Sequence, residues 1–420
     1  MTDSPVRGIA VSVTPIALQA DSRAYRIACT LADSGFRSIV MEGQPSCNRF
    51  WDERLNVLSL GRSASASRSG SALHHGHLRS VVTALREGRV GSPGETMLYA
   101  AFRAYDWRAH CRVPRAQMPV ADLYYLHSFE MHRAVRPIAE RNGARIIYDA
   151  HDFYREIDPP GAQLSFDRNR LRPFYDRLEG QLVATADAVS TVSHGVADQM
   201  ERVFGRRPEV IRNCHDERHD RRDGPNLRMI LGLAPSDRLC VMIGNYKPGM
   251  AIRIAAEALA LLPDNFHFAF IGRGYEAVPG KLSRELIAPR LHLGNPFDPD
   301  RVVPAIRSAD VGLVLYEPRS LNYRNALPNG FFQVVAACLP VVRAPLVEVE
   351  NTIGDRRVGV CLDELSPTAL AAAILQCSGD VGVFRAETIR LARELRWELE
   401  ARRLACLFEE VMRKPRSNRL

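Results

Sequence analysis

At 420 residues the chain is too long for one hydrophobic core and about right for two, since single cores stop growing near ~250–300 residues. Its 46% hydrophobic and 25% charged composition is that of an ordinary globular protein. The net charge of +8 is carried almost wholly by arginine, with Lys247, Lys281 and Lys414 the only lysines, a skew that reads as GC-rich coding rather than a nucleic-acid surface. Anionic small partners such as nucleotide phosphates, or an acidic membrane face, remain compatible with it.

The nine cysteines lie far apart without a C-x-x-C pair, which predicts buried thiols of a cytoplasmic protein rather than a disulfide frame. The start, "MTDSPVRGIAVSVTPIAL", lacks a basic leader followed by a long apolar run, so no signal peptide is expected. No stretch offers the ~18–20 apolar residues that span a bilayer. Any membrane contact is therefore expected to be peripheral, on the inner face.

In chain order, short β-branched runs alternate with helical patterns. Strands are expected at 7–15, 37–43, 121–128, 144–151, 188–193 and 208–213, with a helix in "RAYRIACTLADSG" that stops at Gly35. Between them, 61–77 is small and polar and reads as a loop; its His74, His75 and His77 have no partner cluster, so no metal is expected there. The following 78–90 and 94–110 read as amphipathic helices that pack on a core or dock an acceptor or membrane.

The rhythm restarts at 239–245, 266–274, 291–296, 311–318, 340–345 and 358–363. Strand–helix–strand alternation predicts an α/β fold of two Rossmann-like domains with parallel sheets, facing across a cleft. The expected divisions are 1–215, 227–390 and a C-terminal helix at 391–420, with "CHDERHDRRDGPN" (214–226) as a charged linker. Such sheets bind ligands beyond the carboxyl ends of their strands.

Several residues fall at those ends. "ARIIYDAH" delivers Asp149 and His151, followed by Asp152; "LYYLHSFEMH" delivers His127, Glu130 and His132. His151, with Asp149 or His127, is the expected catalytic group, its imidazole near its natural pKa. Burial and hydrogen bonding is the competing explanation for Asp149. Ser193 is read as a helix cap, there being no G-x-S-x-G elbow. In the second half "IGNYKPGM" and "IGRGYE" put glycines at strand ends beside Lys247 and Arg273, a setting for phosphates at Gly244 and Asn245. Finally "RNALPNGFFQVVAACLPVV" predicts a helix over "NGFFQVVAA" with Pro328 in its first turn. Asn325, Asn329 and Gln333 then line an anion-seeking helix start, with Gln333 placed for a ribose diol.

Taken as an ordered set, "DSRAYRIACTLADSGFRSIVM", "YDAHDFYRE", "ADAVSTVSHGVADQM", "IGNYKPGM", "FHFAFIGRG" and "NYRNALPNGFFQVVAACLPVV" resemble GT-B glycosyltransferases of family 4 over most of the chain. The resemblance implies retaining transfer of a sugar from a nucleotide-diphosphate sugar to a glycan, lipid-linked or small-molecule acceptor, with no metal required. It also implies a final helix that braces the first domain. The family's Glu-x7-Glu pair falls on Asn325 and Gln333, and its usual lysine after Pro-Asn on Gly330. The Arg and Lys expected after the second domain's first strand fall near Asn245 and Met250, with Lys247 and Arg253 as displaced substitutes. A sugar-nucleotide-binding protein with weak or no turnover, and a sugar-nucleotide epimerase, are the alternatives.

Overall fold

The computed structural model describes residues 7–47, 52–59, 117–156, 176–221, 224, 226–247, 249–275, 289–318 and 320–415. The readings of 61–77 and of the stretches at 78–90 and 94–110 lie outside these residues. The chain divides into two compact units. One comprises Met1–Thr191, Met200–Glu209 and Leu404–Leu420, and the other Val192–Gln199 and Val210–Arg403.

The first unit is built on a seven-stranded sheet. Its strands are β1 (Ile9–Thr14), β2 (Arg37–Glu42), β3 (Asn56–Ser59), β4 (Leu123–Leu126), β5 (Arg145–Ala150), β6 (Ala188–Thr191) and β7 (Glu209–Val210). Their order is β3-β2-β1-β4-β5-β6-β7. The register runs parallel from β3 to β6, for example Val11 opposite Tyr124 and Tyr148 opposite Val189. Strands β4 and β5 are buried along their whole length, as strands covered on both faces must be. Helix α1 (Ser22–Asp33) is started by Asp21, whose carboxylate accepts the Ala24 N–H. Helix α2 (His132–Asn142) stops at Gly143, which takes the left-handed conformation that ends many helices. In the C-terminal part of this unit, Phe408 stands edge-on to Phe36 and Tyr125.

The second unit holds a six-stranded sheet in the order β10-β9-β8-β11-β12-β13. These are β8 (Arg238–Ile243), β9 (Phe266–Ile271), β10 (Leu291–Gly294), β11 (Val311–Val314), β12 (Val341–Arg343) and β13 (Gly359–Cys361), all parallel. Its helices follow as α3 (His194–Phe204, which ends in the first unit), α4 (Leu227–Ile230), α5 (Ile252–Leu261), α6 (Val302–Ile306), α7 (Leu321–Arg324), α8 (Asn329–Ala336), α9 (Val347–Ile353), α10 (Pro367–Gly379), α11 (Val381–Glu394) and α12 (Trp397–Arg413, which also ends in the first unit). Helix α8 lies close on the sheet because β11 carries Gly312. A Cβ there would stand 2.0 Å from Val334 Cγ1. Phe331, Val334 and Val335 bury the other side of that contact.

Twelve of these strands stand where the sequence predicts them. Strand β3 is an addition, a short edge strand with only intermediate and exposed positions. Pro328 precedes α8 rather than entering it: with ψ of 141° it is extended, and Asn329 is the first helical residue. Cys29, Cys214, Cys240 and Cys377 are buried as expected, but Cys47 and Cys406 are exposed. The stretch expected as a charged linker begins with Cys214, His215 and Asp216 buried, and Asp216 is held by Arg218 at 2.8 Å. Among the described residues no single helix is long and apolar enough to cross a membrane.

Both sheets reverse their strand order at one place, between β1 and β4 in the first unit and between β8 and β11 in the second. A crevice opens outside the carboxyl ends of the strands at such a switch point. His127 follows β4 and Gly244 follows β8, so each group of candidate residues belongs to a switch point.

Candidate functional site

In the first unit the residues after β1, β4 and β5 converge on Asp149. This carboxylate is 0% exposed, and Arg23 from α1 grips both its oxygens, Nε to Oδ2 at 2.8 Å and Nη2 to Oδ1 at 2.7 Å. Ser190 on β6 donates to Oδ1 at 2.7 Å and shares a hydrogen bond with the Tyr125 hydroxyl at 2.8 Å. His151 Nε2 lies 3.0 Å and His127 Nδ1 3.3 Å from Oδ2, and the two ring nitrogens are 3.1 Å apart. Close by, Asp21 accepts from Thr14 Oγ1 at 2.7 Å and from the Ala24 N–H at 3.0 Å. Arg23 spans the Asp149 carboxylate and ties the hydrogen-bonded cluster together.

Burial pushes both carboxyls toward their neutral forms, but charged partners win. Arg23 holds Asp149 well below the usual carboxylate range, and the two histidines with the Ala24 N–H hold Asp21 below its ordinary value. Burial lowers the pKa of His127, whose side chain is 0% exposed and whose Nε2 has no partner among the described residues. His151 is 22% exposed; burial opposes its charge, yet Asp21 and the bond to Asp149 raise its pKa.

Asp149 and His127 are thus interior groups, and His151 alone of the three reaches solvent. Of the neighbours named from the sequence, Glu130 donates its N–H to Ser128 and His132 is buried at the start of α2, where burial lowers its pKa to about 4. Ser193 does cap α3, accepting the Val196 N–H at 3.3 Å.

In the second unit the loops after β8 and β9 close on each other. The Arg273 N–H donates to Asn245 Oδ1 at 2.9 Å, the Tyr246 N–H to the Arg273 carbonyl at 2.8 Å, and the Tyr275 hydroxyl to the Gly244 carbonyl at 2.8 Å. Gly244 has φ of +142°, open to glycine alone at little cost. A Cβ on Gly272 would stand 2.1 Å from the Gly244 oxygen, so this approach needs a bare backbone. Lys247 and Arg273 are exposed at this turn, and among the described residues neither side chain is paired. Arg253 is instead paired along α5 with Glu257 at 3.1 Å, and Met250 is buried.

The start of α8 sits on this turn. A Cβ at Gly330 would lie 2.3 Å from the Ile243 carbonyl oxygen, so position 330 has no room for the lysine that the family pattern carries. Asn329 is exposed and its Oδ1 accepts from Asn213 Nδ2. Gln333, one turn on, is half-buried, and its amide makes no hydrogen bond among the described residues. Asn325 is tied more tightly. Its carbonyl accepts from Ser193 Oγ at 2.8 Å, and its side chain occupies the space that a Cβ on Gly195 would take, 2.6 Å from Oδ1. Glu348, buried at the start of α9, accepts the His194 N–H at 3.0 Å.

The structure therefore brings the turn of Gly244, Asn245, Lys247 and Arg273 to the start of α8, which carries Asn329 and Gln333, while Asn325 packs on Ser193 and Gly195. The arrangement offers the start of a helix, two exposed cations and, at Gln333, an amide without a hydrogen bond among the described residues, a set suited to a phosphate-bearing ligand. Sequence reasoning missed Arg23 and Asp21. Their signal was a capping Asp-Ser before a helix that puts arginine on its buried side.

Residues 21–214 match the family model described as a glycosyl transferase 4-like domain. No curated protein matches the sequence. Among solved structures, sucrose-phosphate synthase from Thermosynechococcus elongatus is similar over 96% of this chain and 99% of its own, with a TM-score of 0.64 and 14% identity. A glycosyltransferase from Rickettsia africae is similar over 97% and 99%, at 0.62 and 13%. HepE from Anabaena in complex with UDP-glucose is similar over 96% and 100%, at 0.63 and 13%. At these identities the likeness is one of fold.

Proposed function

We propose that this chain, GT-B in fold and of the glycosyltransferase family 4 type in its N-terminal part, moves a sugar from a nucleotide-diphosphate sugar to an acceptor with retention of configuration. The observation that carries the reading is the meeting of the Gly244–Asn245 turn, Lys247, Arg273 and the start of α8 at the switch point of the second sheet. In this reading the diphosphate lies on the backbone N–H groups at the start of α8, beside the Gly244–Asn245 turn. Lys247 and Arg273 neutralise the charge that grows on the leaving group, so the transfer needs no metal ion. Gln333 holds the ribose diol, and Asn329 and Asn325 shape the entrance. His151, oriented by Asp149 and His127, meets the acceptor or the transferred sugar. The acceptor is a glycan, a lipid-linked sugar or a small molecule, and a lipid-linked one would bring the protein to a membrane surface.

The amides at Asn325 and Gln333 bring less charge to the leaving group than carboxylate-organised cations would, at a cost of ~2–4 kcal/mol of barrier, or on the order of 10²–10³ in rate. The reaction is tested by nucleotide release from a panel of nucleotide sugars with and without acceptors. The transfer predicts release only with an acceptor, and a product anomer matching the donor's. Donor binding without release across the panel would leave a sugar-nucleotide-binding protein instead, and free epimerised sugar an epimerase.

A further inference from the structure

The first unit contains a second arrangement that the donor site does not use. We infer that Asp21 and Arg23 fix the proton inventory of the histidine pair: with Asp149 they form a buried frame carrying one net negative charge, which holds His151 as an imidazolium beside a neutral His127. The role given to His151 in sugar transfer rests on the proposed function; its charge state does not.

The geometry supplies the argument. Arg23 spans Asp149 through two bonds and cancels its charge, which leaves the Asp21 carboxylate as the unmatched group. One imidazolium balances it. A second would place like charges on nitrogens 3.1 Å apart in a poorly solvated interior. Between the two rings, His151 is the one that can carry the charge, because it is 22% exposed and its Nε2 lies 3.0 Å from Asp149 Oδ2. His127 is buried, and an N–H on its Nε2 would lack an acceptor among the described residues.

Among the described residues the other groups around the pair are Thr14, Tyr125 and Ser190, which hydrogen-bond within the cluster, and Tyr154, whose hydroxyl burial and nearby carboxylates, Asp152 first among them, keep protonated. None of these supplies a further positive charge. With Nε2 committed to Asp149, the His151 Nδ1 has no partner among the described residues. It is left as an N–H donor for a substrate hydroxyl or a departing oxygen. Asp21 and Arg23 are thus positioning residues acting through His151.

The test is a pH titration of the full chain carrying ¹⁵N-labelled histidine, with the His151 signal identified by its loss in His151→Gln. The wild type is expected to show both His151 ring nitrogens protonated at pH 7 and a midpoint above the ordinary ~6.5, with His127 neutral throughout. Asp21→Asn keeps a good helix cap and removes the charge, so the His151 midpoint is expected to fall by about one pH unit, a tenfold loss of proton affinity. A neutral His151 at pH 7, two charged histidines, or a midpoint that Asp21→Asn leaves in place would each overturn the inference. The wild-type titration decides the charge state even if the variant does not fold. Nucleotide binding in the second unit is measured separately and does not depend on this result.

Discussion

Replacing Gly330 with alanine probes whether the start of α8 owes its position to the missing side chain. The added Cβ would meet the Ile243 carbonyl oxygen at 2.3 Å, whereas real Cβ contacts essentially never fall under 3.0 Å. Either α8 or the end of β8 must then retreat by roughly 1 Å, and overpacking of this kind costs ~1–3 kcal/mol. For a unit of this size that corresponds to a Tm lower by roughly 2–12 °C.

The same retreat draws the free N–H groups of α8 away from the Gly244 turn, so affinity for a nucleoside diphosphate should fall by about tenfold. Thermal unfolding and titration calorimetry on the same samples read both effects. Gly330→Lys, which restores the family's residue, should behave no better, because the backbone collision precedes any benefit of charge. A Gly330→Ala protein with unchanged Tm and unchanged affinity would refute the reasoning, as would a lysine variant that binds more tightly than wild type.

Gln333→Ala should weaken nucleoside diphosphate binding by about fivefold, the loss of one hydrogen bond of ~1 kcal/mol, while leaving Tm within a degree because the amide has no partner among the described residues. Glu179, in the helical stretch 176–185, accepts the Tyr148 hydroxyl at 2.7 Å, and burial raises its pKa from 4.5 to about 7. A raised folded pKa gives stability that is complete below 4.5 and lost as pH climbs through 7, here ~3 kcal/mol. Glu179→Gln, which keeps an acceptor for Tyr148, should therefore unfold at higher denaturant than wild type at pH 8 and at about the same denaturant at pH 4.5. An identical pH dependence of the two proteins would contradict the assignment. Cys338 has φ of +58°, strained for any side chain, and Cys338→Gly should raise stability by ~1 kcal/mol in denaturant titrations.

The parallel sheets were legible because their strands are continuous apolar runs bounded by glycine, proline and polar residues, and a strand buried on both faces leaves that signature. Strand β3 left none: Asn56–Ser59 is a four-residue edge of which only Val57, half-buried, packs against the core. The turns after β8 and β9 could be read from Gly244 and Gly274 at strand ends, since a backbone that must approach another backbone shows itself as glycine. Gly330 carried the same message and was read instead as an absent lysine, because the Ile243 carbonyl that excludes a side chain is far away in sequence. The Arg23–Asp149 pair was illegible for a related reason. The two are 126 residues apart, and an arginine on an amphipathic helix is ordinarily taken to face water. Asp149 itself was visible as an unusual polar end to an apolar strand, but its partners Arg23 and Ser190 were not.

The account rests most directly on the phosphate-binding character of the Gly244–Asn245 turn with the start of α8. Calorimetric titration of uridine, guanosine and deoxythymidine diphosphates into wild type and a Lys247→Ala/Arg273→Ala variant measures it. The account predicts saturable binding of at least one diphosphate, weakened by ~10–100-fold in the variant through the loss of two charge-assisted contacts. No binding of any of the three, or binding that the double substitution leaves intact, would contradict it.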